Sequence, residues 1–207
     1  MGLTAEQLRT SLDAVAAIEP AFAAAIARAG YPTPRISQRG YATLLRTIIG
    51  QQISVAAAAS VWTKLEAALG DLTDPETIAR TPDEDFRAAG FSRQKTAYAK
   101  SLADEVTSGR IDLNNLPADD EEAIAQLVRI KGIGRWSAEI YLLFAEGRTD
   151  IWPAGDLAVQ IEIGRILGHE ERPSEKLTRE LAEAWRPHRG AAAIMAWHHY
   201  KTDMAVI

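Results

Sequence analysis

Apolar residues recur at helical spacing along nearly the whole of this chain, and no segment shows the sustained alternation of apolar and polar residues that marks a strand. The clearest case is residues 5–29, which predict one alanine-rich helix capped by Thr4. Its apolar positions are Leu8, Leu12, Val15, Ile18, Phe22 and Ile26. The periodicity therefore predicts an all-α protein.

Glycine and proline mark where further helices begin and end. We expect helices over about residues 40–49, 54–69, 93–108 and 156–167, with more helical structure over residues 176–203. Asp74-Pro75-Glu76 and Thr81-Pro82-Asp83 each place a capping residue before a proline and an acid, which predicts two short helices.

The two ends of the chain flank its middle, which predicts a discontinuous, two-lobed helical bundle. We expect one lobe from residues 1–32 with 149–207, a second from residues 33–148, and an active-site cleft between them. With 207 residues the chain is long enough to bury a core in this form.

The composition removes several classes of protein. Because there is no cysteine, disulfides, thiolate zinc sites and iron–sulfur clusters are excluded. No apolar run reaches membrane-spanning length and no signal-peptide pattern opens the chain, so we expect a cytoplasmic protein. The net charge of −5 argues mildly against a nucleic-acid partner, although Arg129, Lys131 and Arg135 cluster closely.

That basic cluster surrounds a turn built on Gly132 and Gly134, between a helix that starts near Pro117 and a second helix that starts near Arg135. Bare glycines let the chain reverse tightly and present backbone N–H groups, and a helix start favours an anion. The turn, within residues 127–140, therefore predicts a helix-hairpin-helix that grips a DNA backbone without reading sequence. The alternative is a connection whose glycines only permit the bend.

A lone carboxylate follows in Trp152-Pro153-Ala154-Gly155-Asp156, at the start of the next predicted helix. Asp156 suits stabilisation of an oxocarbenium-like sugar and activation of water. The alternative is a helix-capping aspartate, since Asp is a preferred cap.

The bond between a DNA base and its sugar cannot be reached inside a stacked duplex, so the nucleotide must first be flipped out. A pocket for the flipped base needs aromatic side chains as walls. The chain has five tryptophans. We choose Trp136 and Trp197 as pocket walls, with Tyr41 next, and place Trp62 in the core.

Taken together, these segments resemble the helix-hairpin-helix DNA glycosylase superfamily, in its 3-methyladenine DNA glycosylase II branch. The resemblance covers most of the chain from about Tyr41 onward. Its strongest parts are residues 49–54 (Ile-Gly-Gln-Gln-Ile-Ser), 90–95 (Gly-Phe-Ser-Arg-Gln-Lys), 130–136, 153–156 (Pro-Ala-Gly-Asp) and 185–189 (Trp-Arg-Pro-His-Arg).

The resemblance implies that Asp156 is the essential aspartate and that Trp136 and Trp197 hold the flipped base. Gln52 falls where the family carries a residue wedged into the gap left in the duplex. The hairpin would bind DNA through Gly132, Gly134, Lys131 and Arg135. Its carbonyls at Val128, Ile130 and Ile133 would hold a monovalent cation, Na⁺ or K⁺, that bridges to phosphate.

The chain also departs from its relatives. Trp136 stands where bifunctional members carry a Schiff-base lysine, so we expect water as the nucleophile and no lyase activity. The four-cysteine iron–sulfur loop of some branches is absent, and the length predicts a compact form without the N-terminal α/β domain of the best-known members. Ile140 replaces an aromatic residue of some relatives, which leaves the substrate range open.

The leading hypothesis is a monofunctional glycosylase that excises alkylated purines from double-stranded DNA. The expected substrate is 3-methyladenine, and 7-methylguanine is a further candidate. The protein would act as a monomer on the nucleoid, without a required cofactor or a membrane. One alternative is a non-catalytic DNA-binding protein with Asp156 as a helix cap. Another, favoured by the acidic charge, is an all-α scaffold that never meets DNA.

Overall fold

The computed structural model describes residues 2–204, and every regular element in that range is helical. The all-α prediction is confirmed. In chain order the α-helices are α1 (Ala5–Ile18), α2 (Pro20–Ala29), α3 (Tyr41–Gly50), α4 (Val55–Leu69), α5 (Pro75–Arg80), α6 (Asp83–Ala88), α7 (Arg93–Thr107), α8 (Asp120–Leu127), α9 (Arg135–Tyr141), α10 (Leu157–Ile166), α11 (Glu175–Ala182) and α12 (Arg189–Met204). A π-helical segment covers Leu142–Glu146 and a 3-10 turn covers Glu183–Trp185.

The chain divides into two compact units. One, the terminal unit, combines Met1–Ser37 with Leu142–Ile207, and the other, the central unit, is Gln38–Tyr141. The sequence had suggested boundaries after residues 32 and 148. No helix within residues 2–204 is both long and apolar enough to cross a bilayer.

The prediction of one helix over residues 5–29 is wrong, because the segment forms α1 and α2. Glu19 is extended between them, with φ −126° and ψ 97°, and Pro20 opens α2. Proline lacks an amide hydrogen and disfavours helical geometry in the residue before it. The Glu19 side chain instead accepts a 3.2 Å hydrogen bond from the Ala21 amide and caps α2. Thr4 caps α1 as predicted.

The core of the terminal unit is centred on Trp185. Its ring packs edge to face against those of Phe22 and Trp152, with ring centroids 5.0 Å and 5.6 Å away. Residues 191–196, five of them alanine or isoleucine, are all buried along α12. The four alanines among them take little space, and α10 and α12 pack against each other.

In the central unit, α3 packs against α4 and α7, and α5 packs along α7. The buried apolar residues include Leu44, Ile48, Leu65, Phe86 and Leu102. Trp62 belongs to this core, as predicted, and the Arg46 guanidinium stacks 3.5 Å above its ring.

Candidate active site

The turn that carries Asp156 is held by buried side chains of the terminal unit. The indole of Trp152 donates a 3.0 Å hydrogen bond to the Thr178 carbonyl, and the side-chain amide of Gln160 donates one of 2.7 Å to the Ala154 carbonyl. The Asp156 amide closes the turn on the Pro153 carbonyl at 2.9 Å. The carboxylate therefore extends from a backbone with little freedom to move.

Asp156 is both the N-cap of α10 and the partner of a predicted pocket residue. Its Oδ1 accepts a 3.0 Å hydrogen bond from the Val159 amide and a 3.1 Å bond from the Trp197 indole. The side chain is half-buried. The capping interpretation is thus correct as a structural statement, and it leaves the carboxylate beside an aromatic ring.

Trp197 packs against a second aromatic ring, which in turn contacts a guanidinium group. It packs on Phe144 of the π-helical segment with centroids 5.6 Å apart, and the Arg35 guanidinium lies 5.1 Å above the Phe144 ring. The Ser37 amide donates to the Phe144 carbonyl at 2.9 Å. Sequence reasoning did not find Phe144 or Arg35, because a π-helical segment leaves no distinct periodic signal. Such segments often occur at functional sites.

The other two predicted pocket residues belong to the central unit. Trp136, in the first turn of α9, is 48% exposed. Tyr41, at the first position of α3, is only 8% exposed and counts among the core residues of its unit. Burial raises the pKa of the Tyr41 hydroxyl, and the nearby Asp74 carboxylate adds to that effect. The structure therefore brings Asp156 and Trp197 together and places Trp136 and Tyr41 on other elements.

The two hairpin glycines have different roles. Gly132 has φ +86°, and a Cβ there would lie 2.2 Å from the Tyr98 ring, so both conformation and packing require glycine. Gly134 has an ordinary φ, and a Cβ would have no neighbour within 4 Å. Nothing inside the described chain therefore explains why residue 134 lacks a side chain.

The backbone of the hairpin offers bare donors. The Ile130 carbonyl accepts from the Ile133 amide at 3.0 Å, and the Gly134 carbonyl accepts from the Ala138 amide at 3.0 Å. Within residues 2–204 the Gly132 and Gly134 amides donate no hydrogen bond. The cation site predicted at the carbonyls of Val128, Ile130 and Ile133 remains a prediction. Of the side chains described, no group of three His, Asp or Glu is placed to hold a metal ion.

The turn between α3 and α4 is tied to the hairpin. The side-chain amide of Gln51 donates a 2.7 Å hydrogen bond to the Gly132 carbonyl, and the Lys95 ammonium donates one of 2.6 Å to the Ile49 carbonyl. In the same turn Gln52 is exposed and has φ +59°, a left-handed conformation that is unfavourable for any residue with a Cβ. The residue predicted to wedge into DNA is thus the strained, projecting member of this turn.

The two basic hairpin side chains differ. Arg135 forms ion pairs with Glu121 of α8 and, through a 2.9 Å contact, with the buried Glu139 one turn along α9. The bond to Glu121 contributes most to a raised pKa of Arg135. Lys131 is exposed, and its backbone amide donates to the Ser101 hydroxyl at 3.0 Å. The i, i+4 spacing of Arg135 and Glu139 was visible in the sequence.

Comparison of the whole sequence establishes the family. Residues 45–187 match the model of the HhH-GPD superfamily base excision DNA repair proteins, which is more than half of the chain. This chain therefore belongs to that superfamily.

The curated relatives include the DNA-3-methyladenine glycosylase 1 of Schizosaccharomyces pombe (strain 972 / ATCC 24843). It is 32% identical over 167 residues, which cover 79% of this chain and 72% of that protein. The chain spans a smaller share, 58%, of the length of a relative from Bacillus subtilis (strain 168).

Two solved structures are similar over nearly the whole chain. A DNA-3-methyladenine glycosidase from Bacillus halodurans has a TM-score of 0.87 at 30% identity, with 94% of this chain and 91% of that chain covered. The Schizosaccharomyces pombe 3-methyladenine DNA glycosylase Mag1, solved with abasic DNA, has a TM-score of 0.76 at 28% identity. That comparison covers 94% of this chain and 97% of the other.

Proposed function

We propose that this protein is a monofunctional DNA glycosylase that hydrolyses the N-glycosidic bond of alkylated purines in double-stranded DNA. The first substrate would be 3-methyladenine, which the names of the relatives carry. The second would be 7-methylguanine, because it is an alkylated purine with the same positive charge. The observation that carries the proposal is the hydrogen bond between Trp197 and Asp156, which joins a carboxylate to an aromatic side chain in a member of this superfamily.

The chemistry needs one carboxylate and one water. A purine alkylated at N3 or N7 carries a positive charge, so the electrons of the broken C1′–N bond neutralise the departing base without an acid. The sugar becomes an oxocarbenium-like cation, which the Asp156 carboxylate stabilises. Water then adds to C1′ and loses a proton, with Asp156 as the base, and an abasic site and a neutral base result.

The aromatic residues supply selectivity. An electron-poor, cationic base stacks well on an indole face, which is a cation–π contact. A damaged base also costs less to unstack from the duplex than a normal one. Since the Trp197 indole N–H is directed at Asp156, a base on that ring would lie beside the carboxylate.

The hairpin supplies affinity for the strand. The bare amides of Gly132 and Gly134, with the open space at Gly134, suit a phosphate group that approaches the backbone closely. The strained Gln52, one residue from the Gln51 contact to this hairpin, would fill the gap in the duplex. Trp136 leaves no lysine for Schiff-base chemistry at that position, so no strand cleavage is expected.

The deciding experiment replaces Asp156 with asparagine. Asparagine still caps a helix and its Oδ1 still accepts from Val159 and Trp197, so the variant removes the charge and keeps the geometry. We expect release of methylated purines from alkylated DNA, followed by mass spectrometry, to fall at least a hundredfold while DNA binding persists.

A matched control is Asp119→Asn, which neutralises the N-cap carboxylate of α8 and should excise at the wild-type rate. If Asp156→Asn excises as fast as this control, Asp156 is not the catalytic carboxylate. If the wild-type protein binds DNA but releases no base, the non-catalytic DNA-binding alternative is correct. The remaining proposals are a monomer, a hairpin-bound monovalent cation and no further cofactor. Sedimentation, and DNA-binding assays in Na⁺, K⁺ and large organic cations, test the first two.

A further inference from the structure

A buried acid–histidine pair joins the two helices that carry the proposed active site. Glu162 of α10 is fully buried and His199 of α12 is 6% exposed. Their atoms Oε1 and Nδ1 lie 2.6 Å apart, within hydrogen-bonding distance. In the tautomer with the proton on Nδ1, the imidazole donates and the carboxylate accepts. The second carboxylate oxygen, Oε2, accepts a 3.3 Å hydrogen bond from Arg165.

The pair lies beside a stretch of α12 that is rich in small apolar side chains. Ala191, Ala192, Ala193 and Ala196 are buried there, together with the larger Ile194 and Met195. Alanine side chains tolerate a small rotation or slide of a helix better than large side chains do. A buried polar pair tolerates neither change, because each partner left without the other loses a hydrogen bond in a dry interior. Glu162 and His199 therefore add a directional contact that favours one register of α12 on α10.

That register also sets the active-site geometry. Asp156 caps α10 six residues before Glu162, and Trp197 lies on α12 two residues before His199. A slide of one residue moves a helix by about 1.5 Å along its axis. Such a shift would break the 3.1 Å bond from Trp197 to Asp156.

We propose that Glu162 and His199 are positioning residues, which hold Trp197 against Asp156 by fixing α12 on α10. Because both side chains are buried, they would act through Trp197 and Asp156 and not by contact with the substrate. The inference rests on the proposed glycosylase function for its effect on rate, and on geometry alone for its effect on the Trp197 hydrogen bond.

The test compares His199→Phe, which keeps a ring and removes the donor, with His199→Asn, which keeps an N–H near the Nδ1 position. The control is His198→Phe. His198 is the adjacent residue on α12, and its Nε2 contacts the Ala29 carbonyl of α2 at 2.8 Å instead of α10. Two quantities are measured: single-turnover excision on methylated DNA, and the indole ¹H–¹⁵N resonance of Trp197, assigned with Trp197→Phe.

We expect His199→Phe to slow excision by about tenfold to a hundredfold, the range that follows from small misplacement of a reacting group, with DNA affinity within about twofold of wild type. The Trp197 indole resonance should move, and His199→Asn should restore most of both properties. If His199→Phe does not fold, Glu162→Gln gives a milder test, since its amide oxygen still accepts but its charge is gone.

An indole resonance that stays in place in His199→Phe, or a rate equal to that of His198→Phe, overturns the inference. The Trp197 resonance can be measured whether or not the protein is an active enzyme. The experiment therefore tests the positioning role of the pair separately from the glycosylase function. If wild-type protein excises nothing, the glycosylase proposal fails, while the movement of the resonance still decides whether the pair positions Trp197.

Discussion

The indole nitrogen of Trp197 lies 3.1 Å from Oδ1 of Asp156, although 41 positions separate the two residues in the chain. The same oxygen accepts from the Val159 amide at 3.0 Å. Two donors on one oxygen hold the carboxylate in one orientation. An anion that must stabilise charge at a defined sugar atom gains from such preorganisation, because no reorganisation is needed as the bond breaks.

Trp197→Phe should therefore separate stacking from orientation. Phenylalanine keeps an aromatic face and removes the N–H donor, and the loss of one hydrogen bond to a charged group predicts excision slower by about tenfold. Trp197→Ala should lose more, because it also removes the face. Single-turnover excision measures both, and equal rates for wild type and Trp197→Phe would show that the indole N–H has no part in catalysis.

Substitution by alanine should affect stability at one hairpin glycine and DNA binding at the other. Gly132→Ala forces a Cβ into the Tyr98 ring at φ +86°, so we expect the free energy of unfolding to fall by about 1–3 kcal/mol. Gly134→Ala meets open space and should leave stability within about 0.5 kcal/mol, yet weaken DNA binding at least severalfold. Urea denaturation and fluorescence anisotropy on duplex DNA distinguish the two effects. Unchanged DNA affinity in Gly134→Ala would argue against close approach of a phosphate there.

Gln52 should show a conflict between stability and function. Its φ of +59° suits glycine, so Gln52→Gly is expected to stabilise the fold by about 0.5–1 kcal/mol through relief of left-handed strain. The same change removes the side chain proposed to fill the duplex, so excision should slow. The matched control is Gln94→Gly, at an exposed helical position, which should lower stability. A loss of stability in Gln52→Gly would contradict the strain argument.

The sequence predicted the helical fold and the position of Asp156 at a helix start because these depend on local signals. Proline and capping residues marked the starts of α5, which Pro75 opens, and of α10, which Asp156 caps. The break at Glu19 was missed although Pro20 was visible, because alanine on both sides kept the apolar period intact.

Contacts between distant segments could not be predicted. The bond from Gln51 to Gly132 spans 81 positions and that from His199 to Glu162 spans 37, and no periodicity reports such pairs. The π-helical environment of Phe144 and the burial of Tyr41 depend on tertiary packing in the same way. The sequence pattern predicts which helix or turn carries a residue, whereas tertiary packing determines which groups its side chain contacts.

Arg135 was predicted to bind DNA, and the structure pairs its guanidinium with Glu121, through bonds from both terminal nitrogens, and with Glu139. We expect Glu121→Gln to release Arg135 toward phosphate, to raise DNA affinity severalfold and to steepen the plot of log K against log salt by about 0.9, the slope for one added phosphate contact. Glu122→Gln makes the same change of net charge at the adjacent exposed residue and should not steepen the slope. Binding is measured by anisotropy from low to high salt. If both variants shift affinity and slope alike, the effect is one of overall charge, and Arg135 stabilises the hairpin without contacting DNA.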